Sequence, residues 1–146
     1  MDAPVTQPTP LPVGPSDWPL FVEALATLAV ASMAIRLLPF RWVAAAASKS
    51  GRKTAPADPE TVRRVRGAVR GWGRRVPWKS VCFQRGLALH WMLRRRGIPS
   101  VLLYGVRRQG AGLAAHVWVD VDGETVIGGE EAPDFACLAR FPPNPA

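Results

Sequence analysis

The stretch that most constrains the fold is SVCFQRGLALHWMLRRRGIPS, residues 80–100, because it predicts one central helix with defined ends. Ser80 is a suitable N-cap, which puts Cys82 in the first turn. Three arginines complement the helix dipole at the other end, where Gly97 and Pro99 stop the helix. Between these ends apolar side chains cover more than half of the circumference, as in a buried helix. They are Leu87, Ala88, Leu89, Trp91, Met92 and Leu93.

The two segments after this helix predict strands. SVLLYGVRR, residues 100–108, is typical of a buried strand, and AAHVWVDVDGETVIGG, residues 114–129, is typical of a hairpin that turns at Asp122-Gly123. In the first arm, alternation puts His116 and Trp118 on one face. The opposite face is uniformly small and apolar and is expected to join the core: Ala115, Val117, Val119 and Val121. His116 therefore lies on the face where a general base could meet Cys82.

Cys82 has two interpretations from the residues alone. At a helix start the unpaired N–H groups and the positive end of the dipole favour a thiolate, and the same groups can hold an oxyanion. A small apolar core residue is the alternative, which spacing alone favours. His90 lies two turns from Cys82, about 12 Å along the axis, so it is expected to be a packing or surface histidine rather than the base.

The sequence before this helix divides into three parts. Residues 1–17 hold five prolines and predict a disordered tail. Residues 18–57 predict a helix from Trp18 to Leu38, a shorter helix after Pro39 and a basic linker. Residues 58–146 form the predicted main domain. The apolar stretch from Ala24 to Ile35 is 12 residues, shorter than the roughly 20 of a membrane span. A core helix is the first interpretation and an interfacial membrane helix the alternative.

A further helix is predicted from Pro59, with Asp58 as N-cap and Glu60 in the first turn. GWGRRVPW, residues 71–78, is expected to break it through its glycines and Pro77. Its apolar residues follow the spacing of one helix face: Val62, Val65, Val69 and Trp72.

The net charge of +8 fits an acidic peptide, a nucleic acid or an anionic membrane as partner. No helix-turn-helix, RNP or zinc-finger pattern accompanies the basic residues, so a nucleic-acid-binding module is a minor alternative. Cys82 and Cys137 are too few for a disulfide framework and lack zinc-ligand spacing, which favours a reducing cytoplasm. Cys137, in FACLARF, is expected to be a core thiol.

Several motifs together resemble a known family. CFQRGLALHWMLRRRGIPSVLLYGVRR, AAHVWVDVDGETVIGG and FACLARFP are similar to the B2 leader peptidases of lasso-peptide biosynthesis, which belong to the transglutaminase-like cysteine-protease superfamily. The resemblance is strong from Trp78 to Pro142 and extends loosely to AIRLLPFRW, residues 34–42. It implies an α+β fold with a transglutaminase- or papain-like core. The nucleophile would stand at the start of a central helix packed on a small antiparallel sheet, with extra helices at the N-terminal side.

The resemblance also implies the function. Cys82 matches the family nucleophile and His116 the family base. A bacterial cytoplasmic peptidase of this kind removes the leader from a ribosomal precursor peptide, with no cofactor or metal. A separate leader-binding B1 protein presents the precursor, and an asparagine-synthetase-like cyclase then closes the macrolactam. Neither nucleic-acid nor membrane contact is expected. A basic nucleic-acid-binding or membrane-peripheral module without catalysis is the alternative function.

The third member of the triad is where the sequence departs from the family. Many relatives have an aspartate 12 residues after the histidine, where this chain has Gly128. We expect Glu130 in that role; Glu131, or a Cys–His dyad helped by a backbone carbonyl or water, are the alternatives. Three further residues are expected near the site from their positions in the sequence, and for Trp78 simple packing is the first interpretation. Trp78 is assigned to the oxyanion site, Arg85 to Glu130 or the leader, and Trp118 to shielding the site or lining the leader channel.

Overall fold

Four α-helices precede four β-strands in the computed structural model, which describes residues 15–49, 57–75 and 82–142. The helices are α1 (Trp18–Leu37), α2 (Phe40–Ser48), α3 (Pro59–Arg75) and α4 (Cys82–Arg95). The strands are β1 (Val101–Gln109), β2 (Gly112–Val121), β3 (Glu124–Ile127) and β4 (Ala136–Phe141). Short 3-10 helices lie at Pro15–Asp17 and Ala132–Asp134. Of the disordered tail predicted for residues 1–17, residues 1–14 lie outside the described residues, as does most of the predicted linker. The prediction is wrong for Pro15–Asp17, which form a 3-10 helix.

The helix ends follow the capping residues that the sequence predicts. The Asp58 carboxylate accepts hydrogen bonds from the backbone N–H groups of Glu60 (3.3 Å) and Thr61 (3.2 Å), which confirms it as the N-cap of α3. At the end of α4, Gly97 has a φ of +70° and the Ile98 N–H donates to the Leu93 carbonyl at 3.0 Å. This Schellman-type closure confirms the predicted C-cap.

The predicted break of α3 at its glycines is wrong, because the helix continues through Gly71 and Gly73 to Arg75. A glycine inside a helix costs only about 1 kcal/mol relative to alanine, which packing can offset. Here the Trp72 indole N–H donates to the Phe21 carbonyl at 2.8 Å, and a Cβ on Gly71 would lie 3.8 Å from the Phe21 ring. The contact with α1 therefore holds this part of α3 in helical form. Pro77 lies outside the described residues.

The sheet is antiparallel with the strand order β3-β2-β1-β4. The predicted hairpin turn is confirmed, since Asp122 (φ 50°) and Gly123 (φ 82°) both have left-handed backbone conformations between β2 and β3. An extra residue in β3 shifts the register, so that Asp120 pairs with Thr125 but Val119 pairs with Ile127. The ladder between β2 and β3 ends there, and the chain after Ile127 leaves the sheet beside His116.

α4 is the central helix, in contact with α1 and α3 on one side and with β2 on the other. Gly86 permits the close approach to the sheet, because a Cβ there would come within 2.8 Å of Val117 Cγ1. The core residues along α4 and the sheet include Leu87, Leu89, Met92, Leu93, Leu102, Val117 and Val119. An α+β fold with a central helix on a small antiparallel sheet is thus confirmed. Ala115, however, is exposed and does not belong to the core as predicted.

Cys137 lies on β4, the edge strand, and pairs with Gly105. Its thiol is exposed and free, so the predicted core location is wrong. The apolar residues around Cys137 favour a core position, but no strand in the described part of the chain lies beyond β4 to bury its outer residues.

Candidate active site

Cys82 is the first residue of α4 and carries a free, half-buried thiol. The chain before it, residues 76–81, is not among the described residues, so the proposed N-cap Ser80 and the oxyanion residue Trp78 lie outside them. A thiol at this position is close to the backbone N–H groups of the first helical turn, which have no partner within the helix. These groups and the helix dipole favour negative charge at the sulfur or on a nearby oxyanion.

His116 lies near the middle of β2 and is only 7 % exposed. Its ring stacks on Trp118, with centroids 6.0 Å apart, and lies 5.1 Å from the Phe135 ring. Its Nε2 is 2.8 Å from the carbonyl oxygen of Gly128. Since a carbonyl only accepts hydrogen bonds, Nε2 carries the proton, and in the neutral imidazole Nδ1 has the free lone pair. The arrangement therefore selects the tautomer in which Nδ1 can act as a base.

Gly128 is held in a conformation that few other residues adopt. Its φ is +77°, and a Cβ would lie 2.6 Å from the Val117 carbonyl oxygen and 3.2 Å from His116 Nε2. A side chain at this position would crowd the hydrogen bond that orients the imidazole. The chain thus presents a backbone carbonyl to His116 from the position 12 residues after it.

Glu130, the expected third member, points to a different partner. Its carboxylate accepts a hydrogen bond from the Arg70 guanidinium at 3.0 Å, and its side chain is 73 % exposed. A hydrogen bond from its own backbone N–H, followed by the charge and hydrogen bond of Arg70, lowers the pKa of the Glu130 carboxyl. The structure therefore pairs Glu130 with α3, whereas the His116 Nε2–H group donates its hydrogen bond to the Gly128 carbonyl. Glu131 is exposed.

The start of α4 lies over the strand that carries His116, through the contact of Gly86 with Val117. Side chains alternate along a strand, so the His116 ring leaves β2 on the face opposite Val117 and α4, which differs from the prediction that this face meets Cys82. Within the described residues no hydrogen bond joins the Cys82 thiol to His116. The two predicted catalytic residues are on neighbouring elements, and the structure shows no direct bond between them.

The remaining predicted site residues lie at different places. Trp118 is 7 % exposed and covers Gly105, where a Cβ would come within 2.9 Å of its ring. Its assignment as a shield of the site or a wall of the leader channel stays a prediction.

Arg85 is half-buried on α4, one turn after Cys82. In the described ranges, no three His, Cys, Asp or Glu side chains converge as metal ligands.

Sequence reasoning missed Phe135, which lies directly against the His116 ring. The Arg107 guanidinium lies over the Phe135 ring, 4.8 Å from its centroid. Phe135 follows the 3-10 helix after Gly128, and nothing in its local sequence marks it as a neighbour of the histidine. Only the exit of the chain from the sheet after Ile127 brings it there.

An open groove lies farther along the same sheet face as His116. It has a volume of about 360 Å³, and its lining includes Val101, Leu103, Asp120 and Arg140. Asp120 is four residues from His116 and shares its face of β2, so the groove continues the line of the histidine and Trp118. Its walls combine apolar side chains with two acids, Asp120 and Asp122, and one base, Arg140.

Comparison with protein families finds one match, the family described as the transglutaminase-like superfamily, over residues 24–140. This match covers α1 through β4 almost completely and includes Cys82, His116 and Gly128. The comparisons with curated proteins and with solved structures gave no match.

Proposed function

The chain belongs to the transglutaminase-like superfamily, which includes cysteine proteases, and from this premise we propose that it is a cysteine peptidase with Cys82 as nucleophile and His116 as base. The observation that carries the proposal is the geometry of His116. A histidine with Nε2 held on a carbonyl has Nδ1 ready to accept a proton. A free thiol at the start of the helix packed on the same strand supplies the nucleophile.

The proposed reaction has two halves. His116 Nδ1 takes the proton of the Cys82 thiol, and the sulfur attacks the scissile carbonyl carbon to give a tetrahedral oxyanion. Backbone N–H groups at the start of α4 are the donors for that oxyanion. The imidazolium then protonates the leaving amine as the C–N bond breaks. Water, deprotonated by His116, attacks the thioester and releases the carboxylate product and the free thiol.

The proposal requires the thiol and the imidazole to meet at the margin of the sheet. β3 pairs with β2 only along Val119–Val121, so among the described residues no strand borders His116 on that side. Catalytic hydrogen bonds are often long in unliganded enzymes and tighten when substrate binds. Rotation of the two side chains at this margin is the movement that the reaction needs.

In this proposal Gly128, rather than Glu130, takes the place of the family's orienting acid. The carbonyl holds the ring in the tautomer that the mechanism uses and accepts the hydrogen bond from the Nε2–H group throughout. A carbonyl stabilises an imidazolium less than a carboxylate does, because it carries only a partial charge. The geometry of the base is thus retained with weaker electrostatic support.

For the substrate, we propose the leader of a lasso-peptide precursor, on the basis of the motifs between Trp78 and Pro142. A leader-binding B1 protein would present the precursor, and a separate cyclase would use the amine that cleavage frees. The groove beside Trp118 is where an extended peptide segment would lie, since it continues the line of His116. A bacterial cytoplasmic location goes with this pathway.

The test is cleavage of a precursor peptide in the presence of a leader-binding partner. The wild type is expected to release the leader, and Cys82→Ala is expected to release none above the uncatalysed rate. A Cys82→Ala variant that still cleaves would overturn the proposal, as would a wild type that leaves the precursor intact.

A second measurement does not depend on the substrate. In a Cys137→Ser background, which removes the exposed second thiol, iodoacetamide is expected to alkylate Cys82 rapidly. His116→Ala should slow this alkylation, because the thiol loses its proton acceptor. Equal rates with and without His116 would show that the two residues do not act together.

A further inference from the structure

The outward face of α1 carries a continuous line of exposed apolar side chains. These are Trp18, Val22, Val30, Met33 and Leu37, between 50 % and 69 % exposed, and we call them the α1 stripe. Their spacing of three, four or eight residues puts them on one side of a helix. The opposite side of α1 is fully buried in the core, through Ala24, Leu28 and Ala31.

Charged and aromatic residues lie at the C-terminal end of this stripe. Arg36 follows Met33 by three residues, which puts its exposed side chain next to the stripe. At the start of α2, the Arg41 guanidinium lies 5.9 Å from the centre of the Trp42 ring, and Trp42 is 59 % exposed. The stripe thus has a tryptophan at its first position and an arginine–tryptophan pair beyond its last.

The acids of the same region are already neutralised. Within residues 15–49 these are Asp17, paired with Arg64, and Glu23, paired with Arg95 and Arg96. Arg36 and Arg41 have no ion pair among the described residues. The surface around the stripe therefore presents apolar area together with positive charge.

We propose that the α1 stripe binds the surface of an anionic lipid bilayer. Helices that lie in the membrane interface combine an apolar face with tryptophans and flanking arginines or lysines, and both features are present here. The charge favours anionic lipid headgroups as the occupant over a neutral apolar protein surface. This inference is independent of the proposed peptidase activity, and it departs from our expectation that the chain makes no membrane contact.

The structure argues for lying on a membrane rather than crossing it. By length and composition the helical segment Pro15–Leu37 could span a bilayer, and it is the one such segment in the described part of the chain. Its inward face, however, is packed against α3 and α4. The Arg95 guanidinium donates to Thr27 Oγ1 at 3.0 Å, and Glu23 holds Arg96. Spanning would expose these polar pairs to hydrocarbon, whereas surface binding leaves them in place.

The test is sedimentation of the full chain with large unilamellar vesicles. Vesicles of phosphatidylcholine with about 30 % phosphatidylglycerol are compared with pure phosphatidylcholine, because the anionic lipid supplies the surface potential. The wild type is expected to sediment with the anionic vesicles. A Met33→Asp/Leu37→Asp variant should bind at least about 10-fold more weakly, since two apolar side chains lose their contact with lipid.

A matched control carries the same charge change elsewhere. Leu113 and Leu138 are 72 % and 65 % exposed and lie on β2 and β4. The Leu113→Asp/Leu138→Asp variant is therefore expected to bind vesicles like the wild type. Replacing Arg36 and Arg41 with glutamine should weaken binding about fivefold for each arginine near the surface. Circular dichroism confirms that every variant is folded.

Three results would overturn the proposal. The first is a wild type that does not sediment with anionic vesicles, and the second is equal binding by both aspartate pairs. The third is a wild-type dimer in solution that Met33→Asp/Leu37→Asp dissociates without any vesicle binding, which would make the stripe an interface between two copies. Leader cleavage measured without vesicles is a separate readout, so loss of cleavage by Cys82→Ala with normal sedimentation leaves this proposal standing.

Discussion

The two histidines of the chain lie in two regions that differ in one decisive contact. His90 is fully buried on α4, where its Nε2 is 2.8 Å from the Ala47 carbonyl of α2 and its Nδ1 is 2.7 Å from Ser100 Oγ. His116, on the sheet, has the same Nε2 contact at the same length, with the Gly128 carbonyl. In the described structure its Nδ1 makes no hydrogen bond.

Burial and tautomer alone do not separate a structural histidine from a catalytic one. Both carbonyls select the Nε2–H tautomer. At His90 the Ser100 hydroxyl then donates to Nδ1, so both ring nitrogens are occupied and the residue joins α2 to α4. At His116 the second nitrogen stays available. The distinction lies in whether the lone pair of Nδ1 is used, and this can be tested at each site.

The largest expected effect is on catalysis. Replacing the general base, as in His116→Ala, should lower the rate of leader cleavage by about 10³-fold, within the range for loss of acid–base catalysis. His90→Gln, assayed at a temperature where circular dichroism shows it folded, should stay within about threefold of the wild type. The measurement is single-turnover cleavage of a precursor with its leader-binding partner. If both folded variants lose cleavage activity to a similar extent, the distinction between a catalytic His116 and a structural His90 is wrong.

The next effect is on stability and concerns His90. Burial, opposed in part by the hydrogen bond to Ala47 and reinforced by the nearby Arg94 charge, lowers the pKa of His90 to about 4 from its usual 6.5. The pKa of His90 is lower in the folded state than in the unfolded state. The contribution of the neutral His90 side chain to the free energy of unfolding is therefore fully present above pH 6.5 and is lost as the pH falls toward 4. Each pKa unit corresponds to about 1.4 kcal/mol, so the expected loss is about 3 kcal/mol.

Urea unfolding at several pH values between 7 and 4 measures this loss. His90→Gln should be less stable at pH 7, because one of the two hydrogen bonds or the packing is disturbed. Its stability should also lack the part of the pH dependence that His90 supplies. If the free energy of unfolding of His90→Gln falls with pH as steeply as that of the wild type, His90 does not take up a proton on unfolding in this pH range.

The elements themselves could be predicted from the sequence because local signals agreed with the tertiary packing. The capping residues Asp58 and Gly97, and the turn at Asp122-Gly123, correctly placed the ends of α3, α4 and the hairpin strands. The predicted break at Gly71 failed because a tertiary contact, the Trp72 hydrogen bond to Phe21, outweighs the low helix propensity of glycine. Burial of Cys137 was wrong for a related reason, since its position on an edge strand depends on strand order.

The candidate site was predictable only in part. The positions of Cys82 at a helix start and of His116 on a strand follow from local patterns. The partner of His116 does not, because it depends on the extra residue in β3, which shifts the register before the chain reaches Gly128. A carbonyl partner also leaves no mark in the sequence, as every residue has one. The same applies to the exposure of the α1 stripe, which looks from sequence like part of a broad core face.

A smaller effect is expected from crowding the His116 hydrogen bond. Gly128→Ala and Gly123→Ala both put a side chain at a positive φ, which costs about 1 to 2 kcal/mol. At Gly123 the added Cβ meets nothing within 4 Å, whereas at Gly128 it meets the Val117 carbonyl at 2.6 Å. Gly128→Ala should therefore lose about 1 to 3 kcal/mol more than Gly123→Ala in urea unfolding.

The same pair of variants has a readout at the imidazole. Nitrogen-15 NMR of the ring should show protonated Nε2 at His116 in the wild type and in Gly123→Ala. In Gly128→Ala the Nε2–H signature is expected to weaken as the carbonyl moves. An unchanged signature together with equal unfolding free energies would mean that Gly128 does not set the tautomer.

The smallest effect is expected at Glu130, and its size decides which group orients His116. The Arg70–Glu130 ion pair is exposed on the Glu130 side, so Glu130→Gln should change the free energy of unfolding by less than about 1 kcal/mol. Leader cleavage should stay within about twofold, because the histidine keeps its carbonyl partner. If Glu130 were instead the orienting acid, removal of its charge would lower the cleavage rate on the order of 100-fold or more. Arg70→Gln is the matched control, since it breaks the same ion pair and keeps the carboxylate. A large loss of leader cleavage in Glu130→Gln but not in Arg70→Gln would show that the Glu130 carboxylate, rather than the Gly128 carbonyl, orients His116.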